Sequence, residues 1–191
     1  MRTAVYSGSF NPLHIGHKAI VEYLIGNMDF DMVYLIVSPK NPLKDTVEAG
    51  SGRARYMAAL EAVMRYGDLR VKVDDIELDM PPPQYTIYTL DALQAREPGN
   101  TFVFVMGADN LADIHRWKDY RRILTDYGVV VYPREGVRLE DVRDALMRES
   151  GDYRISIADA PVVNISSTEL RKAMAEGTDV SIGRASCRER V

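Results

Sequence analysis

Two histidines three positions apart are the residues of this sequence best placed to do chemistry. His14 and His17 stand in the segment GSFNPLHIGH, where Gly8 lets the backbone approach a ligand and Pro12 limits the turn before a helix that begins near His14 or Ile15. Both imidazoles then share one face of the first helical turn, beside unpaired N–H groups and the positive end of the helix dipole. These features predict a binding site for an anion such as phosphate.

Two other interpretations of the His-x-x-His spacing remain open, a pair of metal ligands and two ordinary surface histidines. Only His115 remains as a third imidazole, and no cysteine cluster lies nearby, whereas a closed zinc site needs a full set of suitable ligands. The phosphate interpretation is therefore favoured, and no metal site built from protein side chains is predicted.

A second helix start is predicted near the other end of the chain, in the segment ISSTELR at residues 165–171. Ser166 and Glu169 have the spacing of a capping box, which places Ser167 and Arg171 in or near the first turn. A hydroxyl and a guanidinium at a positive helix end suit phosphate, although a well-capped helix alone accounts for the same pattern. The segment gains its functional meaning from its pairing with GSFNPLHIGH.

Further candidates follow other predicted strands. Lys40 and Lys44 in SPKNPLK could reach a polyphosphate, although surface lysines are common. Gly107 and Asp109 could hold the sugar of a nucleotide, and Asp109 could equally cap a helix. Trp117 could stack on a planar ring, although packing in the core is the commoner role. No Ser-His-Asp or Cys-His arrangement stands out, which favours direct transfer between two bound substrates.

The elements that must position these residues follow from the apolar patterns. Short apolar runs predict buried strands at residues 3–6, 32–37, 101–106 and 128–132. Apolar residues that return every three or four positions predict helices at residues 15–28, 53–66, 85–96, 116–124 and 139–148. This alternation predicts an α/β fold, a single Rossmann-like parallel sheet with helices on both faces. Ligands then bind at the carboxyl ends of the strands, in loops at residues 7–17, 38–52, 107–113 and 160–167.

Composition excludes several classes of protein. The chain of 191 residues is long enough for one core, and 46% hydrophobic with 27% charged residues is unlike a disordered chain. The 24 basic and 28 acidic residues give a net charge of -4, which argues against a nucleic-acid partner. A lone cysteine, Cys187, and apolar runs too short to span a bilayer favour a cytoplasmic protein with no membrane partner.

GSFNPLHIGH resembles the (T/S)-x-x-H-x-G-H motif of the nucleotidyltransferase superfamily, and ISSTELR resembles its second motif, ISSTxIR. Within that superfamily the chain resembles the nicotinate-nucleotide adenylyltransferases, because SPKNPLK, RARYMAAL, QYTIYTL and MGADNLADIHRW occur in that family's order. The resemblance covers residues 1 to about 180, as a nucleotidyltransferase domain. Residues 181–191, SIGRASCRERV, lack the family's apolar pattern and are expected to be a foreign or truncated end.

The resemblance implies a reaction in which AMP passes from ATP to nicotinate mononucleotide by direct in-line attack, giving deamido-NAD and pyrophosphate. Mg²⁺ would bridge the phosphates, ATP and nicotinate mononucleotide would be the partners, and a homo-oligomer would be compatible with the family. Two alternatives remain: another acceptor, such as nicotinamide mononucleotide or phosphopantetheine, or an inactive nucleotide-binding module.

The resemblance also implies roles for particular residues. The catalytic residues would be His14, His17, Lys44 and Arg171. ATP would be bound by Gly8, Ser9, Phe10, His14, His17, Gly107, Asp109, Ile165, Ser166, Ser167 and Arg171. Nicotinate mononucleotide would be bound by Asn11, Lys44, Thr86, Trp117 and Lys118. Three positions depart from the family's usual residues: Leu43 replaces histidine, Asn11 replaces aspartate and Gln84 replaces serine.

Overall fold

The computed structural model describes residues 1–39, 51–67 and 70–160, in which strands and helices alternate. The strands are β1 Arg2–Gly8, β2 Met32–Val37, β3 Val71–Asp74, β4 Thr101–Gly107, β5 Val129–Tyr132 and β6 Ile155–Ile157. The helices are α1 Ile15–Asn27, α2 Gly52–Tyr66, α3 Thr86–Arg96, α4 Ala108–Ala112, α5 Tyr120–Arg122 and α6 Leu139–Glu149. Within these three ranges no helix is long and apolar enough to cross a membrane.

The six strands form one sheet with only parallel pairings, in the order β3-β2-β1-β4-β5-β6. Side chains alternate between its two faces: Val5 of β1 packs in a core with α3 and α6, whereas Ala4 and Tyr6 pack in a second core with α1 and α2. The predicted α/β fold is confirmed. Because the winding direction changes between β1 and β4, a ligand cleft is expected at their carboxyl ends.

Helix α1 forms because its apolar side chains repeat at helical spacing and have a sheet face to cover. Ile20, Val21, Leu24 and Ile25 make one buried stripe against the second core. Full burial of one such leucine stabilises the folded state by about 2 kcal/mol. The stripe therefore fixes the rotation of the helix, and with it the direction of the imidazoles at its start.

The sequence does not predict strands β3 and β6, because both are short and lie at the edges of the sheet. β3 has four residues and includes Lys72, and β6 has three residues and includes the exposed Ser156. An edge strand needs only one buried face, so neither segment shows a continuous apolar run.

The single helix predicted at residues 116–124 is wrong. A 3₁₀ turn at Ile114–Arg116 ends at Trp117 in extended backbone, and Asp119 takes a positive φ of 50° before the short α5. A π-helical turn at Ile123–Tyr127 follows. The apolar residues of this segment fill the core individually, and aspartate is one of the residues that tolerate the left-handed conformation. This break places Trp117 at the mouth of the cleft.

Candidate active site

A cleft of about 300 Å³ opens at the carboxyl ends of β1 and β4, where the topology predicts it. It is lined by Tyr6, Ser7, Gly8, Ser9, Phe10, His17, Ser38, Glu77, Gln84, Tyr85, Thr86, Phe104, Val105, Met106, Asp109, Asn110, Arg116, Trp117, Lys118, Tyr132 and Arg134.

Many of the residues predicted from sequence meet in this cleft. Those that line it are Gly8, Ser9, Phe10, His17, Thr86, Asp109, Trp117 and Lys118. Asn11 and Gly107 lie beside lining residues in the chain, and the His14 ring contacts that of the lining residue His17, but none of the three lines the cleft itself. The predictions for Lys40, Lys44, Ile165, Ser166, Ser167 and Arg171 fall outside the described residues.

The two histidines cap α1 reciprocally. His14 is the N-cap residue, and its Nδ1 accepts a hydrogen bond from the Gly16 N–H at 3.2 Å. The His17 Nδ1 accepts one from the His14 N–H at 3.1 Å, and the ring centroids are 3.7 Å apart. The expectation of unpaired N–H groups here is thus wrong for these two, because the imidazoles satisfy them in the manner of a capping box.

This arrangement assigns the tautomer of both rings. A ring nitrogen that accepts a hydrogen bond carries no proton, so the neutral imidazole must carry its proton on Nε2. His14 and His17 are therefore hydrogen-bond donors through Nε2, and His17 lines the cleft. Neutral donors fixed by the backbone suit phosphate oxygens.

Burial keeps both histidines neutral. Burial lowers the pKa of His14 to about 4, and the nearby Arg134 guanidinium contributes in the same direction. Burial lowers the pKa of His17 to about 3, with smaller contributions from His14 and Arg134. Near pH 7 both rings are uncharged, so they can keep the capping hydrogen bonds that only an unprotonated Nδ1 accepts.

The lowered pKa of His17 predicts a pH-dependent stability. The unfolded chain protonates His17 below its ordinary pKa of 6.5, whereas the folded protein resists protonation down to about 3. The unfolded state thus binds more protons in this window, and the free energy of unfolding falls as the pH is lowered through it. His17→Asn keeps an acceptor near the Nδ1 position without titrating. We expect urea unfolding at pH 7 and pH 5 to show a smaller loss of stability for this variant than for the parent; equal losses would contradict the assignment.

Phe10, for which a contact with ATP is predicted, also supports the His17 imidazole. Its backbone takes a positive φ of 44°, which is unusual for a residue with a side chain. Its buried ring meets the His17 imidazole nearly at right angles, with 5.2 Å between centroids, and Tyr6 lies 5.9 Å from the same imidazole. The two aromatic rings thus hold His17 in place.

Gly107 lies at the end of β4, where a side chain would meet those of Asp109 and Arg134. A Cβ there would collide with the Asp109 carboxylate and would lie 3.3 Å from the Arg134 side chain. Asp109 is the second residue of α4, and Gly107 occupies the N-cap position, so the alternative of Asp109 as N-cap is wrong. The Arg134 Nε lies 3.7 Å from the Asp109 Oδ1, and the guanidinium lies over the Tyr132 ring.

Arg134 is the main residue of the cleft that sequence reasoning missed. It follows β5, a strand that the sequence predicts, but the loop after β5 is not among the loops in which ligand binding is predicted. The rule that ligands bind beyond the carboxyl ends of parallel strands applies equally there. Glu77 was missed as well, because it follows the unrecognised edge strand β3.

Another part of the lining offers a flat ring and the start of a helix. α3 begins at Thr86; the Tyr88 N–H donates to the Tyr85 carbonyl, which leaves the N–H groups of the first two residues of α3 without a partner within the helix. Trp117 packs edge-on against Phe104 at 5.9 Å, so the core role and a role at the cleft are combined. The backbone N–H of Trp117 already donates to the Ile114 carbonyl, so the start of α3 is the better source of backbone donors for a carboxylate.

Glu77 closes the floor of the cleft as a buried carboxyl group. The Thr89 hydroxyl donates to its Oε1 at 2.9 Å and the Ser7 hydroxyl does so at 3.4 Å. Burial raises the pKa of Glu77 in spite of these donors. The group thus ties the end of β1 to α3, two elements that contribute residues to the cleft.

Comparison with known proteins agrees with this architecture. A family model described as cytidylyltransferase-like matches residues 5–173. A protein of Flavobacterium johnsoniae named probable nicotinate-nucleotide adenylyltransferase is 34% identical over 180 residues, covering 94% of this chain and 90% of that protein. One of the same name from Porphyromonas gingivalis is 38% identical, covering 94% and 87%. The solved structure of Plasmodium falciparum nicotinic acid mononucleotide adenylyltransferase complexed with NaAD has a TM-score of 0.67 at 18% identity, covering 90% and 82%, and shows a shared fold.

Proposed function

We propose that this chain, which belongs to the nicotinate-nucleotide adenylyltransferase family, transfers AMP from ATP to nicotinate mononucleotide and releases pyrophosphate. The observation that carries the proposal is the pair of neutral histidines at the start of α1, together with a ring and free amides at the start of α3. One side suits the phosphates of a nucleotide, and the other suits a flat ring with a carboxylate.

On the ATP side, His17 and Arg134 both line the cleft, and Arg134 is near enough to contribute to the lowered pKa of His17. His17 is a neutral hydrogen-bond donor and Arg134 is a cation, so together they can donate hydrogen bonds to phosphate oxygens and offset part of their negative charge. Asp109 lies beside Arg134 and would accept hydrogen bonds from ribose hydroxyls. Lys44, Ser167 and Arg171 are proposed to contact the phosphates as well, on the family resemblance alone.

The chemical step forms one phosphorus–oxygen bond and breaks another. An oxygen of the acceptor's phosphate attacks the α-phosphorus of ATP, and the bond from that phosphorus to the oxygen bridging the α and β phosphates breaks. The electron pair leaves with pyrophosphate. The attacking oxygen is already anionic, so no general base is required, and catalysis consists of alignment and of stabilising charge. His17 is placed to donate to the oxygens on which that charge develops.

A divalent cation is proposed to arrive with ATP. Within residues 1–39, 51–67 and 70–160 no cluster of three or more metal-ligating side chains occurs. Mg²⁺ commonly takes its ligands from substrate phosphates and water with few protein groups, so a cleft of donors with one exposed carboxylate, Asp109, fits such an ion. When bound, it would neutralise phosphate charge.

On the acceptor side, the N–H groups at the start of α3 would bind the nicotinate carboxylate, with Thr86 as the first residue and Trp117 against the ring. A carboxamide has a hydrogen-bond donor where the carboxylate has only acceptors, and because it is uncharged it interacts less favourably with the positive end of a helix. We therefore propose a preference for the acid. Lys118, paired with Asp119 at 3.7 Å, would contact the acceptor from the same segment.

A pyrophosphate-release assay with ATP and Mg²⁺ tests the function. Four acceptor conditions separate the hypotheses: nicotinate mononucleotide, nicotinamide mononucleotide, phosphopantetheine and no acceptor. We expect release with the first to exceed release with the second by at least about tenfold. Folded protein that binds ATP but releases nothing with any acceptor would identify an inactive nucleotide-binding module. A cytoplasmic location and a homo-oligomer stay predictions.

A further inference from the structure

The segment RARYMAAL in α2 contains the one lysine or arginine that is buried among the described residues. Arg55 is 4% exposed, and α2 itself contributes little else to the buried core beyond Ala59. A guanidinium is taken out of water at considerable free-energy cost unless its donors are satisfied. Its contacts therefore indicate why it lies there.

Among residues 1–39, 51–67 and 70–160, Arg55 donates to three backbone carbonyls in two different loops. Its Nη1 donates to the Ser9 carbonyl at 2.6 Å and to the Ser38 carbonyl at 2.8 Å. Its Nη2 donates to the Pro39 carbonyl at 3.0 Å. Ser9 lies in the loop after β1, whereas Ser38 and Pro39 follow β2. One side chain thus joins the loops that leave two neighbouring strands.

The first of these contacts leads directly to the histidines. Ser9 precedes Phe10, whose unusual positive φ directs the ring against the His17 imidazole. If the Ser9 carbonyl were released, Phe10 would lose the constraint on its preceding peptide, and His17 would lose a wall. Arg55 does not line the cleft itself, so it would act on the substrates only through these contacts.

We infer that Arg55 is a positioning residue for adenylyl transfer. It holds the loop that leads from β1 into α1 in a fixed relation to Ser38 and Pro39 after β2, so that His17 at the start of α1 keeps the position needed for in-line attack. The inference rests on the proposed function. The planar fork of arginine is essential, because a lysine ammonium at the end of a flexible stem cannot reach three carbonyls in the same geometry.

The test compares R55K and R55M with a control of similar kind at the amino end of the central strand β4. Asn100 is also buried, and its amide nitrogen donates to the Thr3 hydroxyl at 2.9 Å and to the Glu97 carboxylate at 3.1 Å. N100A therefore removes buried hydrogen bonds without touching the cleft. Circular dichroism selects a temperature at which each variant is folded, and rates are expressed per folded molecule.

We expect R55M to lower kcat by about a hundredfold and R55K by at least about tenfold, with the KM for ATP changing far less than kcat. N100A should lower stability and leave kcat within about threefold of the parent. If R55M does not fold, the conclusion rests on R55K.

A parent-like kcat in R55K, or an equal loss of kcat in N100A, would overturn the inference while leaving the proposed function intact. If the parent itself shows no transfer, the function fails, and the inference is then judged by binding of ATP alone and by the imidazole signals of His17 in NMR spectra. R55K must shift those signals and N100A must not; unshifted signals in R55K would overturn it.

Discussion

We expect substitution of His17 by asparagine to lower kcat by about 10²–10³-fold, the loss that follows removal of one fixed donor from a site of developing negative charge. The amide oxygen of asparagine lies close to where the Nδ1 of histidine lies, so the hydrogen bond from the His14 N–H can persist. The Nε2 donor has no counterpart. The variant thus separates the capping function of His17 from its function toward phosphate.

His17→Ala removes both functions and provides the comparison. Loss of the cap lowers stability by about 1 kcal/mol, which should appear in urea unfolding of the alanine variant and not of the asparagine variant. Initial rates of pyrophosphate release at saturating substrates measure kcat for both. His115→Asn is the matched control, because its ring is exposed and pairs with Glu149 on the surface. A near-normal rate in His17→Asn would remove His17 from the mechanism.

The second large effect is expected for Arg134→Met, which should lower kcat/KM for ATP by about a hundredfold. The guanidinium faces the cleft beside Asp109, and methionine keeps much of the aliphatic stem while removing the charge. Because Arg134 contributes to the lowered pKa of both His14 and His17, the same substitution should raise both pKa values. Kinetics and NMR titration of the imidazole protons measure the two effects independently.

Arg138→Met is the matched control, since Arg138 lies in the loop that follows Arg134 and its exposed side chain pairs with Asp141. We expect its kinetics and the histidine titrations to match the parent. An unchanged kcat/KM for ATP in Arg134→Met would exclude a contact with the phosphates, whatever happens to the pKa values.

Much of the fold could be predicted from sequence because its central strands are buried on both faces and so appear as unbroken apolar runs. The same reasoning failed at β3 and β6, where one face meets solvent, and at residues 116–124, where one helix was predicted. There, Trp117, Tyr120 and Leu124 repeat at helical spacing, yet each packs in the core without a continuous helix.

The site was predictable where its residues are local. His14 and His17 stand together in the chain, with the glycine and proline that shape their loop. Arg134 and Glu77 reach the cleft only because distant strands end at one edge of the sheet. Arg55 leaves still less trace, since it bonds to backbone carbonyls, which every residue possesses, and no side-chain type at the other end of the contact reveals it.

The central place of β1 in the sheet has a consequence for synthesis on the ribosome. β1 can pair with β2 early, but its other edge waits for β4, whose Thr101 pairs with Arg2. Until that strand emerges, a hydrophobic strand edge stays open on the nascent chain, and such edges invite pairing with other chains. The strand that leads to the histidines is thus paired on only one side for the first half of translation, and chaperones that shield unpaired strands should raise the yield of folded enzyme.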